Sequence, residues 1–187
     1  MAKLGNRILD IGAGSGRAAI ALQAMGRQVV ALDVSPGAVE VCRRRGLTST
    51  FLGTVHDLAA TGPQPFDSFL AFYSLSHLFG STEAVAFNAL RTMGNHDAAL
   101  VGTIRDPHRT AEPVHLAYHD ANLAAGRMAG EIHWRTRFQR LADPWFSIIW
   151  ASRDELAEMA DRVGWRLAET SPTAEANYGV VLRPQPN

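Results

Sequence analysis

The chain has 187 residues, 47% of them apolar, which suits one folded domain with a single core and excludes a disordered chain. Eighteen basic residues balance eighteen acidic ones, so no global positive field gathers nucleic acid. Cys42, the single cysteine, rules out an intramolecular disulfide or a cysteine-based zinc site and fits a reducing, cytoplasmic location. Residues Met1 to Leu9 lack the pattern of a signal peptide, and no apolar run approaches the roughly 20 residues of a membrane span, so no membrane association is expected.

The first half alternates strand and helix signals. Arg7 to Ile11 is a short apolar run ending in glycines and predicts a buried strand. Ser15 to Met25, rich in alanine and leucine and stopped by Gly26, predicts a helix. Gln28 to Leu32 reads as the second strand. Ser35-Pro36 places an N-cap and a first-turn proline before a helix reaching about Arg45. Thr48 to Leu52 and Phe66 to Tyr73 predict the third and fourth strands, Ser81 to Met93 a helix and Ala98 to Ile104 the fifth strand. Such alternation implies crossover connections and a mainly parallel sheet.

Residues 105 to 151 break the rhythm. Val114 to Met128 predicts a helix, Glu131 to Arg140 one alternating strand and Trp145 to Trp150 another. The rhythm resumes with Ser152-Arg153-Asp154-Glu155, a capping-box pattern opening a helix to about Val163. Trp165 to Thr170 and Tyr178 to Leu182 predict two closing strands. The link between them is too short for a helical crossover, so they should be antiparallel. The expected fold is α/β and doubly wound, Rossmann-like, with a mostly parallel sheet of about seven strands and one antiparallel strand near an edge. One domain, residues 1–187, carries residues 105–151 as an insert after the fifth strand.

Ile8-Leu9-Asp10-Ile11-Gly12-Ala13-Gly14-Ser15-Gly16 runs from a strand through alternating glycines into a helix. Glycine permits the tight turn and lets a ligand lie against the backbone, while the helix N-terminus offers free N–H groups. Such a loop holds a phosphate or a carboxylate. The spacing G-x-G-x-G, with Arg17 following, departs from the G-x-G-x-x-G of dinucleotide sites. Asp33 ends the second strand, where an acid accepts from both ribose hydroxyls. NAD enzymes place an acid there too, so Asp33 reports a ribose rather than a nicotinamide.

Leu9 to Gly16, followed by Ala31-Leu32-Asp33-Val34-Ser35, resembles the class I S-adenosylmethionine-dependent methyltransferases. The resemblance extends more weakly through Phe66-Asp67 and the closing strands. It implies S-adenosyl-L-methionine as cofactor and S-adenosyl-L-homocysteine as product. It implies that Gly12, Gly14 and Gly16 pack against the cofactor with Asp10 near its amino group, that Asp33 binds the ribose and that Val34 flanks the adenine. Gly53 to Leu58 should meet the adenine edge. The family often has an acid where Thr54 stands, so that contact falls to Thr54 with the Val55 backbone, or to Asp57. Phe72, Tyr73 and Ser74 should line the site between cofactor and acceptor. Relatives usually carry a few dozen residues before the first strand. Here it starts within about seven, so the usual cover is lost, trimmed away, or supplied by residues 105 to 151 and a second subunit, which keeps a homodimer in view.

Acceptor residues follow from position at strand C-termini. His77 is a candidate base or orienting group, Tyr73 a candidate substrate contact, and Arg105, Asp106 and His108 a candidate clamp for an acidic acceptor. His115 and His119, four apart with Asp120 beside them, have the spacing of a metal pair but no third ligand, so no metal is expected. On the strand 131–140, His133, Arg135, Arg137 and Gln139 share one face and Trp134, Thr136 and Phe138 the other. With Pro144-Trp145-Phe146 this segment is the expected substrate cover. Cys42 reads as packing. No Asn-Pro-Pro-Tyr motif follows the fourth strand. The expected function is methyl transfer to oxygen or nitrogen of a small-molecule acceptor, with an NAD-dependent oxidoreductase or a non-catalytic S-adenosylmethionine-binding protein as alternatives.

Overall fold

A computed structural model of the chain describes residues 4–62, 64–80, 82–135, 137–138, 141–142, 145–173 and 176–186. Among the expectations above, Ser81, Thr136, Gln139, Arg140 and Pro144 lie outside the described residues.

The first half builds β1 (Arg7–Ile11), α1 (Arg17–Ala24), β2 (Gln28–Asp33), α2 (Pro36–Arg44), β3 (Thr50–Leu52), α3 (Val55–Ala60), β4 (Phe66–Ala71), α4 (Glu83–Met93) and β5 (Gly94–Arg105). The second half adds α5 (Pro113–Ala124), β6 (Glu131–Trp134), β7 (Arg137–Phe138), β8 (Leu141–Ala142), β9 (Phe146–Ile149), α6 (Arg153–Arg162), β10 (Trp165–Pro172) and β11 (Asn177–Pro184). Helix starts follow their caps. Ser35 Oγ accepts from the Ala38 N–H at 3.3 Å, and Ser152 with Glu155 forms a reciprocal capping box on α6.

Seven strands form one sheet in the order β10-β11-β5-β4-β1-β2-β3. β1 to β5 are mutually parallel, and β11 runs antiparallel to both β5 and β10. This is the doubly wound sheet, with one reversed strand near an edge, that the alternation of signals predicted. The chain winds outward from β1 through β2 to β3, then returns to wind the other way through β4 and β5. The loops leaving β1 and β4 therefore diverge, and a crevice opens at their C-terminal ends. Both faces of the sheet are covered: Ile8 packs with Ala19, Val29 and Cys42, while Leu9 packs with Phe69, Leu90 and Leu100 on the opposite face.

Two elements differ from the sequence reading. Val55–Ala60, a stretch to which no element was assigned, is a helix, because Thr54 and Asp57 build a capping box: Thr54 Oγ1 accepts from the Asp57 N–H and Asp57 Oδ2 accepts from the Thr54 N–H at 2.8 Å. The single strand expected over 131–140 is two pieces. β6 pairs with β9 in a two-stranded sheet of its own, and β7 pairs with β8 in another. Neither joins the central sheet. The insert is thus a separate layer, in which Asn122 of α5 donates to the Ala129 and Glu131 carbonyls at 3.1 and 2.6 Å.

At the sheet edge away from the crevice, Asp67 gathers the start of the chain. Its Oδ2 accepts from the Asn6 and Arg7 N–H groups at 2.8 Å each, and Oδ1 accepts from Asn95 Nδ2 at 2.6 Å. These bonds, led by that from Arg7, hold its pKa below the ordinary carboxylate value. Asp67→Ala should cost on the order of 1 kcal/mol in urea denaturation at neutral pH, because solvent screens part of the interaction. A depressed folded-state pKa means the contribution is present above the ordinary carboxylate value and is lost as pH falls through the lowered one. The gap between wild type and variant should therefore narrow in acid, and a gap independent of pH would contradict this role.

Candidate functional site

The glycine loop forms because three of its residues adopt backbone angles that a Cβ disfavours. Gly12, Gly14 and Gly16 have φ of 66°, 55° and 75°. The turn closes through Gly16 N–H donating to the Ala13 carbonyl at 2.9 Å, and Ala13 N–H donating across to the Leu32 carbonyl at 3.0 Å. Gly16 then caps α1. At Gly12 a Cβ would stand 2.6 Å from the Cβ of Ser74, whose hydroxyl donates to the Ile11 carbonyl at 2.5 Å. A Cβ on Gly14 would meet nothing within 4 Å, so the loop presents its backbone to open space there.

Asp33, at the end of β2, is fixed by this loop. Its Oδ2 accepts from the Gly14 N–H at 2.8 Å and its Oδ1 from the Ser35 N–H at 2.9 Å, which leaves each oxygen further lone pairs toward the crevice edge. α2 grips the loop from below. Cys42 Sγ donates to the Gly14 carbonyl at 3.2 Å, and an Arg45 guanidinium nitrogen to the Ser15 carbonyl at 2.6 Å. Burial, with Asp33 and Asp10 nearby, pushes the Cys42 thiol up, so it stays a protonated donor and a packing group rather than a nucleophile.

Asp10 is the unusual member. It is 3% exposed, and one of its oxygens, Oδ2, is buried with no partner among the described residues. Burial raises its pKa to about 6, against a hydrogen bond from the Ala19 N–H that lowers it and repulsion from Asp33 that adds to the rise. Val34, beside Asp33, is 66% exposed for an apolar side chain. Thr54 and Asp57, expected at the adenine edge, are hydrogen-bonded to each other through Thr54 Oγ1 and Asp57 Oδ2 at 2.7 Å, and the Val55 side chain is buried in the core.

Across the crevice, the chain leaving β4 turns sharply. Tyr73 has φ of 59° and donates its N–H to Thr103 Oγ1 at 2.8 Å, which holds its side chain 77% exposed beside Phe72, 41% exposed. A backbone cost of this kind in a non-glycine residue is a feature of functional turns. His77 follows in a 3-10 turn, Leu75–His77, and its ring packs on Phe146 of β9 at 5.4 Å between centroids. Crowding of the ring lowers its pKa, opposed by the charge of Asp33, so the imidazole is neutral at pH 7. The insert therefore reaches the turn after β4. Around it, His133 stacks on Trp145 at 5.8 Å and the Arg135 guanidinium lies 4.7 Å from the centre of the same ring.

The residues after β5 divide. Arg105 lies over Trp150 at 4.9 Å, with its Nε buried and without a partner among the described residues. His115 and His119 of α5 meet the edge of the same Trp150 at 5.8 and 6.2 Å. His119 is 5% exposed, and burial, with His115 and His108 nearby, lowers its pKa. These two histidines are parts of an aromatic cluster, and no group of three metal-ligating side chains occurs among the described residues. His108 turns to Glu155 at 3.7 Å, and Asp106 accepts from the His108 N–H at 2.9 Å, so this pair closes the loop against α6. Sequence reading missed Thr103, Arg45 and Trp150 as supports. Only the T-x-x-D spacing at Thr54 and the position of Trp150 before the Ser152 cap gave any signal.

Fold and glycine loop together define a Rossmann-like nucleotide-cofactor protein. A family profile described as a methyltransferase domain matches residues 8–95. The ubiquinone biosynthesis O-methyltransferase of Xanthomonas oryzae pv. oryzae (strain PXO99A) is 35% identical over 185 residues, covering 93% of this chain and 74% of that protein. The protein of the same name from Xylella fastidiosa (strain 9a5c) is 35% identical over 79 residues, 40% of this chain, and the match spans only about a third of that relative (32%). A solved S-adenosylmethionine-dependent methyltransferase from Bacteroides fragilis, in complex with S-adenosyl-L-homocysteine, shares the fold with a TM-score of 0.79 over 98% of this chain and 73% of its own, at 24% identity. The chain belongs to the class I S-adenosylmethionine-dependent methyltransferases. Membership sets aside the nicotinamide reading, and S-adenosyl-L-methionine is the cofactor of the family.

The residues present fit that cofactor. A buried carboxylate oxygen lacking a partner at Asp10 suits an ammonium group, and the open side of Gly14 leaves room for a ligand against bare backbone. Among the described residues no helix is long and apolar enough to cross a membrane.

Asp10 also makes a stability prediction. Its folded pKa of about 6 exceeds the unfolded value of 3.8, so the folded chain holds the extra proton between them. This carboxyl therefore favours folding most at low pH, and its contribution falls as pH rises through about 6. Relative to wild type, Asp10→Asn should gain stability in ligand-free denaturation on going from about pH 4.5 to about pH 7. Parallel pH profiles would contradict the raised pKa.

Proposed function

We propose that the chain transfers a methyl group from S-adenosyl-L-methionine to an oxygen of a small-molecule acceptor, with nitrogen as the second choice. The carrying observation is that the Gly12–Gly16 loop, the Asp10 Oδ2 that lacks a partner among the described residues, and Asp33 bonded to that loop lie at the ends of adjacent strands, with the turn that carries Tyr73 and His77 following β4. Oxygen comes first because the relatives are named as O-methyltransferases. The balanced charge of the chain supports a small acceptor over a nucleic acid.

In this reading Asp10 pairs with the cofactor ammonium, Asp33 accepts from the ribose hydroxyls, Val34 lies along the adenine, and Gly12, Gly14 and Gly16 admit the ligand to the backbone. Thr54, Val55 and Asp57 stand at the adenine edge, Asp57 and Thr54 through atoms not spent on their mutual cap. When bound, the cofactor supplies an electrophilic methyl on a sulfonium. The chain's own work is to orient the acceptor and exclude water. His77, neutral at pH 7, accepts the proton that an acceptor hydroxyl releases. Phe72 and Tyr73 offer apolar surface for an acceptor ring, and Phe146, held against His77, covers it. Arg105, with a donor to spare at Nε, attracts an acidic substituent, and His108 secures the loop beside it.

The test is calorimetric titration with S-adenosyl-L-homocysteine, with NAD as comparison, followed by labelled methyl transfer to a panel of phenols and amines. The thioether nucleoside alone should bind. Binding without transfer to any acceptor would reduce the chain to a non-catalytic binder, and binding of NAD alone would overturn the reading. Asp33→Ala should weaken S-adenosyl-L-homocysteine by about 1–3 kcal/mol, as buried hydroxyls lose a charged acceptor, and unchanged affinity would remove Asp33 from the ribose site. His77→Ala should lower kcat by roughly 10²–10⁴-fold with that affinity unchanged. Equal loss of both would make His77 structural.

A further inference from the structure

The turn after β4 holds a strained residue whose side chain does little for the fold. Among the described residues, Tyr73 alone outside glycine has a positive φ, 59°. The left-handed region crowds a Cβ against the following carbonyl, and glycine or asparagine occupies it more readily. Burial of the ring would offset that cost. Tyr73 is instead 77% exposed, and Phe72 before it is 41% exposed.

The neighbouring strands fix this turn from both sides. From β5, Thr103 Oγ1 accepts the Tyr73 N–H at 2.8 Å. From β1, the Ile11 carbonyl accepts the Ser74 hydroxyl at 2.5 Å. The reach from β5 depends on Gly102, beside Thr103. A Cβ at Gly102 would stand 2.8 Å from the Ala71 carbonyl oxygen and 3.3 Å from the Leu75 side chain, so a larger residue would push β5 away from the turn. A turn held at both ends that leaves two aromatic rings open to solvent gives those rings a fixed direction. Strain of this kind persists where the surroundings over-determine it, and it gathers at functional positions.

We propose that Thr103 is a positioning residue for the methyl acceptor: it holds the left-handed Tyr73 turn, so that the Tyr73 and Phe72 rings meet the acceptor beside His77. The proposal rests on the methyl-transfer reading and assigns acceptor affinity to a residue that touches neither acceptor nor cofactor. Thr103→Val removes the hydroxyl at nearly constant volume, and Thr103→Ser keeps it. On the full chain, exchange of the Tyr73 amide hydrogen should be slow in wild type and in Thr103→Ser and fast in Thr103→Val. The probe acceptor is the member of a panel of phenols and amines, catechol included, that wild type methylates fastest. Thr103→Val should raise its KM roughly tenfold, the factor by which loss of one hydrogen bond depletes the presenting turn. The kcat and the affinity for S-adenosyl-L-homocysteine should be unchanged, and Thr103→Ser should restore KM. Tyr73→Ala should melt within about 2 °C of wild type, because an exposed ring adds little stability. Tyr73→Asn should melt above Tyr73→Ala, because asparagine accepts a positive φ. Wild type that methylates no member of the panel would overturn the methyl-transfer reading and this proposal together. With transfer established, an equal KM in Thr103→Val, a KM that Thr103→Ser fails to restore, a Tyr73 amide that exchanges fast in wild type, or a Tyr73→Ala variant that melts well below wild type would overturn the positioning role alone.

Discussion

Everything in the candidate site depends on the close approach of two loops where the winding of the sheet reverses. Gly12 leaves β1 with its Cα hydrogen against the side chain of Ser74, which leaves β4, and the Ser74 hydroxyl is bonded to the last carbonyl of β1. A side chain at position 12 would push the two loops apart and remove that bond. The positive φ values at 12, 14 and 16 then follow as the path that keeps the backbone low and still delivers it into α1. Asp33 completes the arrangement from β2 by accepting the Gly14 N–H, so three parallel strands converge on one loop.

Two carboxylates near the same loop have different fates, because their surroundings differ. Asp33 receives two backbone N–H groups, one on each carboxylate oxygen. Asp10 is buried with one oxygen unmatched, and it carries a raised pKa as the price of that position. Burial of an unmatched acid destabilises the ligand-free chain. A cation beside Oδ2 would relieve that cost, and this is the observation behind the proposed ammonium contact.

How far the sequence revealed this follows the range of the forces involved. The parallel sheet, its reversed strand, the glycine loop and the caps at Ser35 and Ser152 were legible because they rest on local patterns: apolar runs, glycine spacing and side chains that bond three residues away. Helix α3 carried the same kind of signal at Thr54 and Asp57, and attention to that stretch as the adenine edge left its helix unassigned. The break of the strand expected over 131–140 was not legible. Alternation fixes which side chains share a face, and His133 and Arg135 do share Trp145, but it does not say where pairing stops. The left-handed Tyr73 was also hidden, since the bond that holds it comes from Thr103, thirty residues away.

The division between local and long-range order coincides with a division of labour. The methyltransferase-domain match ends at residue 95, as β5 begins, and the cofactor-type groups all lie before it. The later residues form the insert and the closing strands. Among the described residues the insert meets the rest of the chain through Phe146 on His77, Ala151 N–H on the Arg105 carbonyl at 3.0 Å, and Tyr178 OH of β11 on the Ala151 carbonyl at 2.9 Å. A layer anchored at such points, with its own two-stranded sheet, can change its surface without disturbing the central sheet. Under the proposed function, acceptor choice would fall to side chains such as Phe146, Trp145 and Arg135, and cofactor binding to the glycine loop and the two acids beside it.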